Sequence, residues 1–352
     1  MTKSPIIRAA CAFIRQWAIN HWADVIWMAV IGAASFGLDR APIPTKRTFP
    51  ITFDTASGDV VYPDMAYPER GWLLPSWLAG FLALGIPLTV YSAAQVRMRS
   101  VWDADAAIMG TLWAVLLATF FQVVTKILVG GLRPYFLDVC RPDVSSISSA
   151  AGDGLNGVGF NRIMYTVDVC TQSDPRLLRN AMTSFPSGHS AAGFAGYGFL
   201  HLWLNARLKV WADYRPALWK LLAVMMPLFI AFLNACLLSV DAAHHWYDIV
   251  VGSIIGVVMA LAAYRATHAA LWDSRYNHLC LRAREAFIYN ADADVDYSGR
   301  TLTGKVGWGD DRTWVTDGRV VGVGGNFSSS NLGGSLGQQG DGATSFLREK
   351  GI

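Results

Sequence analysis

Three short stretches of this 352-residue chain contain side chains suited to binding an anion and moving protons. The first, KILVGGLRP, places Lys126 seven residues before Arg133. That separation is close to two helical turns, so both cations are expected on one side of a helix, where they can meet one anion. Arg133 alone could simply extend to a membrane interface, but Lys126 lies deeper in an apolar segment, where ionisable residues are usually functional.

The second stretch, SFPSGHS at residues 184–190, has the character of a helix start. Pro186 favours helix initiation, which places Ser187, Gly188 and His189 in the first turn. The first N–H groups of a helix have no internal partner and attract anions. Gly188 keeps this position open, Ser187 adds a hydroxyl, and His189 can transfer a proton. An ordinary Ser-Gly turn with an interfacial histidine explains the stretch equally well.

The third stretch, DAAHHWYD, spaces His244 and Asp248 four residues apart and therefore on one helix face. Asp248 can then accept the Nδ1 proton of His244, which leaves the Nε2 lone pair free for attack. Two other interpretations stay open. His244 and Asp248 could be a metal pair, although a metal site needs more ligands, and Trp246 with Tyr247 could form an aromatic belt at a membrane surface.

Together these stretches form a constellation suited to phosphoryl transfer. Two cations and the dipoles of a helix start can hold the non-bridging oxygens, while one histidine attacks phosphorus and the other protonates the leaving group. This reaction depends mainly on positioning and on charge stabilisation. The three stretches therefore predict a phosphate pocket.

Composition indicates that this pocket belongs to a membrane protein. The chain is 53% hydrophobic and only 16% charged, with 14 Trp and a mean hydropathy of +0.31, which is too little charge for the surface of a soluble domain. The net charge of +3 gives no indication of nucleic-acid binding.

Six apolar windows approach the length of a bilayer span. They cover residues 17–37, 71–93, 105–132, 188–206, 217–238 and 246–266. We therefore expect an all-α bundle of six transmembrane helices. Lys and Arg concentrate before the first window, in the second and fourth connections, and after the sixth window, which predicts that both termini are cytosolic. The loops 38–70, 133–186 and 239–245, and with them the active site, are then expected on the non-cytosolic face.

The windows also predict the domain organisation. Residues 1–69 are expected to hold the first helix and the first non-cytosolic loop, residues 70–270 the catalytic membrane domain, and residues 271–352 a cytosolic tail. The tail is rich in Gly, Ser and Asp, which predicts that most of it is disordered. Cys140 and Cys170 share the long non-cytosolic loop, where they are either disulfide-bonded or two free thiols.

The order K-x6-RP, PSGH and H-x3-D resembles the signature of the type 2 phosphatidic acid phosphatases, also called lipid phosphate phosphatases. The flanking FLDVC at 136–140 and TSFPSGHSAAGF at 183–194 are most similar to the fungal diacylglycerol pyrophosphate phosphatase group. The resemblance covers roughly residues 70–270. It implies an all-helical fold shared with the soluble vanadium-dependent haloperoxidases, and hydrolysis of lipid phosphates in the bilayer with no metal ion or other cofactor.

The resemblance also implies roles for individual residues. His244 would be the nucleophile that forms a phosphohistidine, Asp248 would orient it, and His189 would be the general acid. The phosphate would be bound by Lys126, Arg133, Ser187 and Gly188.

One feature departs from the family pattern. The family usually has Ser-Arg seven and six residues before the nucleophile, whereas this chain has Leu237 and Leu238. Replacement cations are available in the long loop at Arg141, Arg162, Arg176 and Arg179, of which Arg179 lies nearest to PSGH. The departure keeps a silent lipid-phosphate-binding protein open as an alternative to the enzyme. A vanadate-dependent peroxidase is a further alternative, which the apolar windows oppose.

Overall fold

The computed structural model of the chain describes residues 5–43, 47–51, 63–143, 147, 156–212, 215–282, 286–289 and four short strands between residues 300 and 322. The described part contains eight α-helices: α1 (Pro5–Arg40), α2 (Ser76–Met98), α3 (Val101–Leu128), α4 (Phe136–Cys140), α5 (Pro175–Ala181), α6 (Gly188–Leu208), α7 (Leu218–Val240) and α8 (Trp246–Thr267). The expectation of an all-helical membrane fold is confirmed.

The six long helices overlap the six predicted windows, but only five of them are long and apolar enough to cross a bilayer by length and composition: α1 from Trp17, α2, α3, α7 and α8. The exception, α6, lies at the centre of the bundle, where it packs against α2, α3, α7 and α8. Most of its residues are buried, including Ser190, His201 and Asn205. A helix that protein shields from lipid can carry polar side chains, which explains its lower hydropathy. The count of six spans stays a prediction.

Close contact between α6 and α8 brings two of the predicted site residues together. A Cβ added to Gly252 of α8 would lie 2.4 Å from the backbone oxygen of Ser187, and one added to Gly256 would lie 2.5 Å from that of Ala191. Two glycines four residues apart allow helix backbones to approach closely in membrane proteins. The start of α6, with His189, therefore lies against the first turns of α8, with Asp248.

The connections that were predicted to share one face meet at one end of the bundle. Strand β1 (Phe49–Pro50), in the first connection, pairs with β2 (Met164–Tyr165), in the long loop. The backbone N–H of Tyr67 donates to the oxygen of Pro134 over 3.1 Å. A disulfide joins Cys140 to Cys170 and closes part of the long loop, so the disulfide alternative is the one present.

Several helix ends differ from the windows, including the start of α1 at Pro5, and two of the differences lie at the candidate site. Helix α2 begins at Ser76 rather than at residue 71, because Pro75 disfavours helical backbone in the residue before it. Helix α3 ends at Leu128 rather than at residue 132, because Gly130 adopts a φ of +56° and Gly131 a φ of +151°, outside the helical range. Both boundaries place residues of the candidate site on irregular backbone.

Four short strands are the described part of residues 300–322. Strands β3 (Arg300–Thr303) and β4 (Val306–Trp308) form one antiparallel pair, and β5 (Thr313–Thr316) and β6 (Arg319–Gly322) form another. Residues 323–352 lie outside the described residues. The division of the chain at residues 69 and 270, and the mostly disordered tail, stay predictions.

Candidate active site

His244 lies in the connection between α7 and α8 and is only 5% exposed. Its Nε2 is 3.3 Å from Nη1 of Arg133. Because a guanidinium can only donate, Nε2 must accept, and its lone pair points towards the cation. Burial, followed by the positive charge of Arg133, lowers the pKa of His244 to about 3. The imidazole is therefore neutral near pH 7, as a nucleophile must be.

The other ring nitrogen of His244 faces two acceptors. Nδ1 lies 3.5 Å from Oδ2 of Asp248 and 3.3 Å from Oγ of Ser184. The Ser184 hydroxyl also donates to the same oxygen of Asp248, which accepts the backbone N–H of His245 over 3.0 Å as well. Ser184 and Asp248 are fully buried. The carboxylate and the hydroxyl together hold the imidazole with its Nδ1 proton directed away from Arg133.

Arg133 is 2% exposed and, besides His244, it donates to three oxygen acceptors. Its Nε donates to the backbone oxygen of Asn180 over 2.8 Å and its Nη2 to Oδ1 of Asn180 over 3.1 Å, while Nη1 donates to the backbone oxygen of Ala243 over 2.7 Å. The expectation that Arg133 projects from the same helix as Lys126 is wrong, because α3 ends at Leu128. The backbone N–H of Arg133 instead donates to the backbone oxygen of Ala181 over 2.8 Å, at the end of α5 and shortly before PSGH in the chain.

Lys126 occupies the last turn of α3. Its Nζ lies 3.7 Å from Oδ1 of Asp39, at the end of α1, and it is within electrostatic reach of Arg133. Lys126 and Arg133 therefore both act on the candidate site. The Gly130–Gly131 turn, and not the helical period, brings them together.

His189 lies in the first turn of α6, opposite His244 across a tryptophan. Its ring stacks on that of Trp72, with centroids 5.0 Å apart and planes 13° apart, and His244 meets the same indole edge-on at 6.3 Å. Arg133 also contacts this indole, with Cζ 5.0 Å from the ring centroid. The Nε2 atom of His189 lies 3.0 Å from the backbone oxygen of Leu74.

Ser187 and Gly188 occupy the start of α6, but their backbone N–H groups are not equally available to bind an anion. The backbone N–H of Ser187 donates to the backbone oxygen of Asp248 over 3.0 Å. Its Oγ accepts from the N–H and the hydroxyl of Ser190 over 3.4 and 3.2 Å, which leaves its own proton for another acceptor. Gly188 faces the side chain of Gln122. The N–H groups of Gly188 and His189, rather than that of Ser187, are thus the ones placed for an anion.

Leu238 stands where the family usually has an arginine, and this apolar side chain is shielded from solvent. Leu238 is 1% exposed, near the end of α7. Arg179, the nearest predicted substitute, donates from both terminal nitrogens to the backbone oxygens of Asp39 and Ala41 at the end of α1, the latter over 2.7 Å. Its charge also acts on Lys126.

Three residues of this site were not identified from the sequence: Ser184, Trp72 and Asn180. Ser184 opens the stretch SFPSGHS, and its proximity to PSGH was an available signal. Trp72 falls inside the apolar window 71–93, and its position depends on the helix starting only at Ser76. Asn180 accepts from Arg133 through both its backbone oxygen and its side chain, and it lies outside the three stretches that the sequence marks.

The described residues contain one group with the spacing of metal ligands: Asp103, His268 and Cys280. Asp103 opens α3 and so lies at the opposite end of the bundle from Lys126. Its carboxylate already pairs with the guanidinium of Arg207 and accepts from Gln95 over 2.8 Å. We therefore assign that cluster to packing at the other end of the bundle.

Comparison with known proteins identifies the family. Residues 107–272 match the PAP2 superfamily. The chain is 32% identical to lipid phosphate phosphatase 2 of Arabidopsis thaliana over 208 residues, which cover 59% of this chain and 66% of that protein. It is 31% identical to lipid phosphate phosphatase 1 of the same plant over 252 residues, which cover 70% of this chain and 68% of that protein.

A fungal relative supports the resemblance seen in the flanking residues. Diacylglycerol pyrophosphate phosphatase 1 of Saccharomyces cerevisiae is 33% identical over 178 residues, which cover 51% of this chain and 57% of that protein. The chain thus spans about two thirds of the length of the first of these relatives and less of the fungal one. No solved structure gives a significant match.

Proposed function

The chain belongs to the PAP2 superfamily, and from that premise we propose that it is an integral membrane lipid phosphate phosphatase working through a phosphohistidine. The proposed substrates are phosphatidic acid, lysophosphatidic acid or diacylglycerol pyrophosphate, since the relatives are named as phosphatases of lipid phosphates and of diacylglycerol pyrophosphate. The reaction as proposed needs no metal ion. Both termini would be cytosolic, with the active site on the opposite face.

One observation carries the proposal: the Nε2 lone pair of His244 faces the buried guanidinium of Arg133 at 3.3 Å, while Nδ1 faces Asp248 and Ser184. A phosphate oxygen drawn to Arg133 places phosphorus next to the attacking nitrogen. Charge on the other oxygens would be offset by Lys126 and by the N–H groups at the start of α6.

The proposed reaction has two steps. In the first, the Nε2 lone pair of His244 attacks phosphorus, the bond from phosphorus to the lipid oxygen breaks, and the protonated ring of His189 gives its proton to that oxygen. In the second, His189 accepts a proton from water as the water oxygen attacks phosphorus. The electron pair of the P–N bond then returns to His244, and inorganic phosphate leaves.

A phosphate-release assay tests this function. Purified protein in detergent micelles, with a chelator present, is expected to release phosphate from at least one of the three lipids. Orthovanadate should inhibit, because it adopts the five-coordinate geometry of the transition state. Absence of phosphate release from all three lipids would refute the proposal.

A second candidate rests on Leu238. The buried leucine in place of the family's arginine removes one phosphate-binding cation, so a lipid-phosphate-binding protein with weak or no turnover is the alternative. Saturable binding of phosphatidic acid vesicles without phosphate release would select it.

A further inference from the structure

The segment of residues 71–75, just before α2, covers the candidate site. Trp72 touches three of its residues: it stacks on His189, meets His244 edge-on and lies under the guanidinium of Arg133. No residue of this segment belongs to the three stretches that carry the chemistry.

The hydrogen bond between His189 and this segment fixes which nitrogen can transfer a proton. The backbone oxygen of Leu74 has no proton to give, so Nε2 of His189, 3.0 Å away, must carry the hydrogen and donate it. In the singly protonated ring the lone pair is then on Nδ1. In the doubly protonated ring the transferable proton is also on Nδ1, because the Nε2 proton is held by the carbonyl.

The segment is held on both sides of this bond. The backbone N–H of Leu73 donates to Oδ2 of Asp241 over 2.9 Å, and Asp241 is buried. Gly71, at a φ of +75°, starts the segment in a conformation that favours glycine, and Pro75 ends it as the N-cap of α2. The position of Trp72 over the two histidines is therefore set by its neighbours on each side.

We propose that residues 72–74 are the orienting element of the general acid, with Trp72 as a positioning residue. This inference rests on the proposed phosphatase function. The Leu74 carbonyl does for His189 what Asp248 does for His244: it fixes the tautomer and stabilises the protonated ring. The face of the indole adds a favourable interaction with the imidazolium. As the bond from phosphorus to the lipid oxygen breaks, that oxygen takes the proton from Nδ1, and Nε2 keeps its hydrogen bond to Leu74.

The leaving group tests the inference, because a general acid matters most when the leaving group is a poor one. Trp72→Ala is compared with wild type on lysophosphatidic acid, whose leaving group is an alkoxide, and on p-nitrophenyl phosphate, whose leaving group needs no proton. We expect kcat on lysophosphatidic acid to fall roughly 10- to 100-fold and kcat on p-nitrophenyl phosphate to fall less than about threefold. Trp72→Phe, which keeps an aromatic face, should recover most of the loss.

Trp77→Ala is the matched control, since Trp77 is 74% exposed in the first turn of α2. It should leave both rates unchanged. Equal losses on the two substrates in Trp72→Ala, or no loss on either, would overturn the inference. If Trp72→Ala does not fold, Trp72→Leu, which is apolar but has no aromatic face, is compared with Trp72→Phe. The quantity compared is the ratio of kcat on lysophosphatidic acid to kcat on p-nitrophenyl phosphate. If wild type does not hydrolyse lysophosphatidic acid, the lipid arm uses whichever of the three proposed lipids it does hydrolyse. Failure of wild type on all three lipids would refute the phosphatase function itself, which is a distinguishable result.

Discussion

At the scale of single residues, the contacts of Ser184 predict that this side chain helps to orient His244. Its hydroxyl bonds the Asp248 carboxylate and approaches the Nδ1 of His244 at 3.3 Å, so Ser184→Ala removes a bond to a buried charge and loosens the nucleophile. Such a bond is worth about 1.5–3 kcal/mol, so we expect kcat to fall roughly 10- to 100-fold with little change in KM. Steady-state kinetics on lysophosphatidic acid measures this.

Ser253→Ala is the control for that change. The Ser253 hydroxyl bonds the backbone oxygen of Ile249 within α8 over 2.8 Å, so its loss leaves the site intact. A Ser184→Ala enzyme as active as Ser253→Ala would show that the hydroxyl does not orient His244.

Arg179 is our candidate for the charge that Leu238 does not supply. Arg179→Ala should lower kcat roughly 10- to 100-fold, because one fewer cation then offsets the transition-state charge. Leu238→Arg alone should give no gain, since a cation at a position only 1% exposed must be desolvated beside existing cations. The kinetics of both variants measure these effects.

Arg179 also caps the end of α1, so its removal must be separated from a loss of stability. Arg176→Ala is the control, because Arg176 is exposed on the same short helix. Thermal unfolding in detergent identifies variants that lose activity only because they lose structure. A strong gain in Leu238→Arg together with a silent Arg179→Ala would mean that the pocket simply lacks one charge.

At the scale of elements, the approach of α8 to α6 is the feature on which the site depends. A Cβ at position 252 would meet the Ser187 backbone oxygen at 2.4 Å, and backbone cannot move aside as a flexible side chain can. Gly252→Ala should therefore displace α8 and with it Asp248. We expect a loss of stability of about 1–3 kcal/mol, measured by thermal unfolding, and at least a tenfold loss of kcat.

Gly80→Ala is the matched control within α2, where an added Cβ meets nothing within 4 Å. Because alanine favours helix over glycine, this variant should be as stable as wild type or more so. Gly252→Ala with wild-type stability and rate would show that the close approach of the two helices is not needed.

The positions of the helices could be predicted from the sequence, but not all of their ends or their exposure to lipid. Apolar length located all six long helices, because burial in lipid or protein requires it. It could not show that α6 is shielded by four neighbours, since hydropathy does not identify a helix's surroundings. The pairing of Lys126 with Arg133 was expected from the helical period, which Gly130 and Gly131 interrupt. Trp72 and the Leu74 carbonyl could not be anticipated, because tertiary packing places them.

At the scale of the whole molecule, the arrangement in the membrane is open to a direct test. Basic residues favour the tails and the even-numbered connections, so both termini are predicted to be cytosolic. In right-side-out vesicles, a tag on either terminus should resist protease added outside and become sensitive once detergent is added. A protease-sensitive cytosolic protein enclosed in the vesicles and an exposed surface protein serve as controls.

The two ends have to behave alike if the number of spans is even. One accessible and one protected tag would refute six spans. Two accessible tags would invert the protein and place the candidate site on the cytosolic face.

The central claim is that His244 accepts the phosphoryl group. Rapid-quench labelling with a lipid substrate carrying radioactive phosphate, followed by peptide mapping, tests it most directly. Wild type should carry an acid-labile, base-stable label on His244, and His244→Ala should carry no label and release no phosphate. His245→Ala is the control, since it keeps the backbone N–H that donates to Asp248 and removes only a ring that caps α8 and stacks on Tyr247. Full turnover in His244→Ala, or label on any other residue, would contradict the account.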